Sequence, residues 1–180
     1  MAWVAPPTFV SGNALTAAQL NILSGDLLET APAKFTAASQ FFVSTGSNAG
    51  VARTAVQDNY TGGGTDSTNS TSYTGLTGSP SLGTGTGTKA LVMHGASIAN
   101  DTVGNRSYVS YEISGATAVA PNDFWAVIVD QQGVAGRIVK ASWVQIHTGL
   151  TAGSNVFTQR FKVNGGTGTF SIRNLAVLPF

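Results

Sequence analysis

Between Thr71 and Phe180 the chain offers strand after strand, with no helical pattern between them. Lys89–Ala96, Arg106–Ile113, Phe124–Val129, Arg137–His147, Val156–Val163 and Gly168–Leu178 are short runs rich in β-branched and aromatic residues. Ser114-Gly115, Pro121-Asn122-Asp123, Gln132-Gly133, Ala152–Asn155 and Asn164-Gly165-Gly166 punctuate them as turns. Short strands at this spacing can bury their apolar faces only against one another, which predicts an antiparallel β-sandwich of jelly-roll-like type. Phe124–Val129 is the most continuously apolar run and is expected as a central strand, burying Trp125, with Phe157 or Phe161 beside it.

The N-terminal part is different. Thr16-Ala17-Ala18-Gln19 has the form of a capping box, with Leu15 and Leu20 at the positions of a hydrophobic staple. Pro32 ends the segment, so a helix is expected over residues 16–29. Leu20, Leu23 and Leu27 share one narrow stripe of it. So short a helix is marginal alone in water, and Gly25 weakens it further. It must dock on another copy or on a larger assembly. Before it lies an extended stretch with Pro6-Pro7 and two large apolar groups, Trp3 and Phe9. After it, residues 39–56 read as a hairpin, with Phe41 and Phe42 in its first strand. The organisation is thus an anchor region over 1–56, a flexible linker over 57–70 and a sandwich over 71–180. Trp3, Phe9, Leu15, Leu20, Leu23, Leu27, Phe41 and Phe42 are the expected anchor and oligomer-interface residues.

Composition narrows the function. Charged residues are 9% of the 180, against roughly a quarter in ordinary soluble domains. Net charge is +1 and the basic residues do not cluster, which speaks against nucleic acid and against an electrostatic membrane anchor. No apolar stretch has the length of a membrane span, and the start has no basic, then apolar leader pattern. The chain is therefore expected to be made in a cytoplasm and to stay soluble until assembled. A surface so poor in charge suits a protein that lives inside an assembly.

Chemistry-bearing groups are sparse. There is no cysteine. His94 and His147 each lie inside an expected strand without a second donor at metal-ligand spacing. Asp58, Asp66, Asp101, Glu112, Asp123 and Asp130 are scattered, and Asp123 and Asp130 fall at opposite ends of one expected strand rather than as a catalytic pair. The run Gly83–Lys89 opens a strand, not the helix that a phosphate-binding loop requires. No catalytic residue, metal site or cofactor site is expected.

The residues Trp3, Phe9–Asn21 and Leu27–Lys34, followed by Phe42–Ala49, resemble the N-terminal segment of small virion proteins of tailed bacteriophages, above all those of actinobacteria. The stretch from Tyr73-Thr74-Gly75-Leu76 to Thr169–Asn174 is similar to the β-sandwich often appended to it. The chain departs from such segments at Ser24-Gly25-Asp26, where a basic residue often stands. The resemblance implies a non-enzymatic structural protein on the virion surface. It would be a capsid decoration or head-fibre protein, or alternatively a minor tail or tail-fibre protein. It would form a homotrimer docked on a major capsid or tail protein, with a host-surface glycan as a further partner. A different reading is a carbohydrate-binding module presenting Tyr108, Tyr111, Trp125 and Trp143 as an aromatic platform.

Overall fold

In the computed structural model, placement is described for residue 14 and residues 16–28, 35–46, 49–60 and 64–180. The chain divides into two compact units, Met1–Ala55 and Val56–Phe180.

In the first unit, α1 spans Ala17–Leu28. The capping box forms as its sequence requires. Thr16 N–H donates to Gln19 Oε1 at 3.0 Å, and Gln19 N–H donates back to Thr16 Oγ1 at 3.3 Å. The hairpin pairs β1 (Gln40–Gly46) with β2 (Ala49–Thr54) in antiparallel register, Phe42 opposite Ala52. The Phe42 ring crosses Gly50, where a Cβ would lie 2.1 Å from it, so a larger residue there would push the ring aside. Gln40 ties down the approach to the hairpin, its Oε1 accepting from Thr36 N–H and Ala37 N–H.

The second unit is the expected antiparallel sandwich. One sheet has the order β5 (Ser81–Thr86), β10 (Gly153–Val163), β7 (Arg106–Gly115), β8 (Val127–Asp130). The other runs β3 (Val56–Tyr60), β11 (Gly168–Pro179), β6 (Lys89–Asn100), β9 (Val139–Thr148). A short β4 (Asp66–Thr68) also pairs with β11. Alternation of burial along β10 and β11 shows the period of two that puts every second side chain in the core. The core has two apolar clusters, one around Val92, Tyr111, Phe157, Leu175 and Val177, the other around Ile98, Val109, Phe161 and Phe170.

Two expectations are corrected here. Residues 57–70 are not simply a linker, because β3 and β4 lie within or across that span and both hydrogen-bond to β11. Phe124–Val129 is not a central strand. β8 begins only at Val127, at the edge of its sheet, while Phe124 is 82% exposed. Asn122 is the cause: its Oδ1 accepts from Phe124 N–H at 2.9 Å, an Asx turn that breaks the strand. Trp125 is half-buried rather than buried. It packs on the first cluster, stacked on Tyr111 with ring centroids 5.8 Å apart. Phe157 and Phe161 are both fully buried.

β11 departs from regular pairing with β6 between Ser171 and Asn174. Ile172 sits there at φ +46°, a left-handed conformation that a β-branched residue rarely adopts. This bulge resets the phase of the strand. Phe170 points inward before it, and Arg173, Leu175 and Val177 point inward after it.

Candidate functional site

The expected anchor residues belong to the first unit. Trp3, Phe9 and Leu15 lie outside the described residues, and so does the side chain of Leu27. Leu20 is 50% exposed and Leu23 is half-buried. On the hairpin Phe41 is half-buried and Phe42 is exposed, with Phe35 exposed just before it. Not one described residue of this unit is buried, although it carries Leu20, Ile22, Leu23, Phe35, Phe41, Phe42, Val43 and Val51. These apolar groups are thus at most half-buried among the described residues.

The second unit holds most of the polar chemistry inside. The bulge of β11 turns Arg173 into the core, where its side chain is fully buried. Nη2 reaches Asp66 Oδ2 on β4 at 2.5 Å, and the guanidinium lies over the Tyr60 ring, 4.2 Å from its centroid. Tyr60 in turn rests on Gly78, where a Cβ would come within 2.3 Å of the ring. Nε and Nη1 of Arg173 have no hydrogen-bond partner. Beside it Gln159 Nε2 donates to two carbonyls, Gly95 O at 3.2 Å and Asn174 O at 2.7 Å, clamping β6 to β11 at the level of the bulge.

Both histidines join one aromatic cluster. His94 Nε2 lies 2.9 Å from Trp125 O, a carbonyl that can only accept, so Nε2 carries the proton. Nδ1 is buried and unpartnered. Burial drives the His94 pKa down to about 4 and also lowers that of His147. His147 Nδ1 shares a 3.2 Å hydrogen bond with the Tyr111 hydroxyl, and burial pushes the Tyr111 phenol well above its ordinary pKa. Trp125 Nε1 donates to Tyr111 O at 3.3 Å. His94 and His147 thus act as neutral packing groups at pH 7. Among the described residues no three His, Cys, Asp or Glu side chains lie close enough to hold a metal ion.

The six carboxylates after Val56 are each tied to a local partner. Asp66 pairs with Arg173, Glu112 with Arg160, Asp123 with Lys162 and Asp130 with Arg106. Asp58 accepts from Ser81 N–H, and Asp101 accepts from Thr167 N–H and the Thr102 hydroxyl. Asp123 and Asp130 are therefore each paired with a different cation. Lys162 also sits over the rings of Tyr73 and Tyr108, 4.8 and 4.7 Å from their centroids, and its hydrogen bond to Asp123 keeps that carboxyl below its usual pKa.

The aromatic platform does not assemble. Tyr111 is fully buried, Tyr108 is covered, Trp125 packs inward, and Trp143 is exposed on edge strand β9. Trp125→Ala is expected to lower stability by about 2 kcal/mol, less than for a fully buried tryptophan, because part of the residue already meets solvent. A thermal melt checks this; an unchanged Tm would return Trp125 to the candidates for a ligand-facing role.

No protein-family model matches the chain. No curated protein matches it in sequence. Among solved structures it is similar to the infectious bursal disease virus VP2 subviral particle. That match has TM-score 0.47 and 11% identity, covering 75% of this chain and 36% of that one. A second is the structure of infectious bursal disease virus Gt strain, with TM-score 0.43 and 11% identity over the same shares of both chains. The chain thus spans little more than a third of the length of these viral chains. At such identity the likeness concerns fold alone.

Proposed function

We propose that this chain is a non-enzymatic structural subunit of a virion, docked through residues 1–55 and displaying the β-sandwich of residues 56–180. The observation that carries the docking role is the first unit itself. It is a capped helix and a two-stranded hairpin rich in apolar side chains, none of whose described residues is buried. A lone hairpin and a twelve-residue helix are each marginal in isolation. Burial against a partner supplies what the unit lacks. The virion assignment rests on the N-terminal resemblance to small tailed-phage proteins. Within it, capsid decoration or head fibre is the preferred role, since residues 56–180 form a two-sheet β-sandwich rather than a fibrous repeat. Minor tail protein is the alternative. A homotrimer is proposed because the Leu20–Leu23–Leu27 face and the hairpin could then cover one another's apolar groups around a threefold axis.

Deleting residues 1–55 is expected to leave a sandwich with the parent's far-ultraviolet β signature that no longer enters particles. Light scattering should then report one chain for the truncated protein and three for the full chain, free or after docking. Normal incorporation of the truncated protein would overturn the anchor, and a full chain monomeric in both settings would overturn the trimer.

A further inference from the structure

The outer face of the five-stranded sheet is hollowed at the bulge. Cross-strand register places Lys140 beside Ser97 and Ser142 beside Gly95, with Ser171 and Asn174 on the other flank of β6. Ser97, Lys140, Ser142, Ile172 and Asn174 line a recess of about 210 Å³ there. Gly95 lets β9 close on β6, since a Cβ at this position would lie 2.5 Å from Ala141 O.

Three independent features mark this recess as built. The Ser97 side chain is buried, the residue being 4% exposed, and its hydroxyl has no hydrogen-bond partner. A buried hydroxyl left unpaired is unfavourable unless something else uses it. Lys140 is exposed and, among the described residues, pairs with no carboxylate, the six acids of this unit being engaged by other groups. Ile172 is held in the left-handed region, and its side chain, 51% exposed, forms an apolar wall of the recess. That strained conformation is clamped from the inside by Arg173 on Asp66 and by Gln159 on Gly95 and Asn174. Strain maintained by its surroundings beside a hollow is the usual mark of a preorganised site.

We propose that this recess binds a small hydroxylated carboxylate, the chemistry of an acidic sugar residue. A single lysine supplies one point charge, which suits one carboxylate. The planar fork of an arginine, which favours phosphate, is missing from the lining. The hydroxyls of Ser97 and Ser142 and the Asn174 amide both donate and accept, as sugar hydroxyls require. Ile172 offers a surface for the C–H face of a ring. The volume lies below that of sites for drug-sized molecules, so one residue is the expected occupant. The site lies wholly in the second unit and does not rest on the assembly role proposed above.

The test is a titration of the isotope-labelled full chain with glucuronate, glucose and acetate, followed by amide chemical shifts. Glucuronate is expected to saturate in the millimolar range, with shifts at 95–97, 140–142 and 172–174, and glucose and acetate to bind at least about tenfold more weakly. Lys140→Met, an exposed edge-strand change, should cost about tenfold or more in glucuronate affinity with an unchanged Tm. Ser97→Ala should weaken binding while Tm stays level or rises, because the hydroxyl it removes has no partner in the protein. Acetate binding as tightly as glucuronate would reduce the site to a bare carboxylate hole and overturn the proposal. So would glucose matching glucuronate, no shift in the recess up to about 100 mM, or full binding by Lys140→Met.

Discussion

Arg173→Ala is expected to be the most destabilising single change in the sandwich, lowering its urea midpoint sharply. The guanidinium is completely buried, paired with Asp66 and stacked on Tyr60, so its removal leaves a void and a carboxylate without its cation. Breaking one partner of a buried pair costs about 3–5 kcal/mol, a large part of a domain's total of roughly 5–15 kcal/mol. The pair itself is not an efficient stabiliser, because Nε and Nη1 of Arg173 are buried without partners. Arg173→Met, which keeps the apolar stem over Tyr60, should therefore be milder than Arg173→Ala. The double variant Arg173→Met with Asp66→Asn should be more stable than either single change, because it leaves no unpaired charge behind. Urea denaturation of the parent, the three single variants and the double variant measures this order. An Arg173→Ala midpoint equal to the parent's would show that the buried pair does not hold β4 and β11 together.

Acid is the second large lever. His94 has a native pKa of about 4 against an ordinary 6.5, so the unfolded chain binds a proton in this window that the native chain does not. Stability then rises with pH between about 4 and 6.5 and is complete above it. Falling pH removes it progressively, by about 3 kcal/mol in all for this one group. His147 shifts in the same direction and adds to the slope. Asp101 and Asp123 have lowered native pKa values, so their contribution is present above 3.8 and lost only at lower pH. The two windows therefore separate. His94→Gln, whose amide can still donate to Trp125 O, should flatten most of the loss between pH 7 and pH 4.5. Thermal melts across this range decide it. A variant with the parent's full slope would assign the acid sensitivity elsewhere.

Much of the fold was legible because the signals are local. Thr16 and Gln19 are three residues apart and cap the same turn, so their pairing needs nothing from the rest of the chain. The alternation of Val156–Val163 encodes two faces directly, and β10 shows them. Composition misled at residues 57–70, where glycine and hydroxyl residues read as flexible while β11 supplied hydrogen-bond partners for β3 and β4. Apolar continuity misled at Phe124–Val129, because it cannot tell a buried strand from a loop that inserts one side chain and exposes the next.

The amino-acid order by itself determined the β-sandwich class and the capped helix, which follow from period-two patterning and from contacts a few residues apart. Only the tertiary structure decided what happens at Ser171-Ile172-Arg173. Straight alternation from Phe170 would bury Ile172 and expose Arg173. The carboxylate that makes the opposite phase possible stands 107 residues away at Asp66. The outer recess follows from that same choice, since its walls come from β6, β9 and β11 and meet only when the bulge is in place. Side chains as ordinary as Ser97, Lys140, Ser142 and Asn174 become a site through register, and register is set by pairing between distant strands.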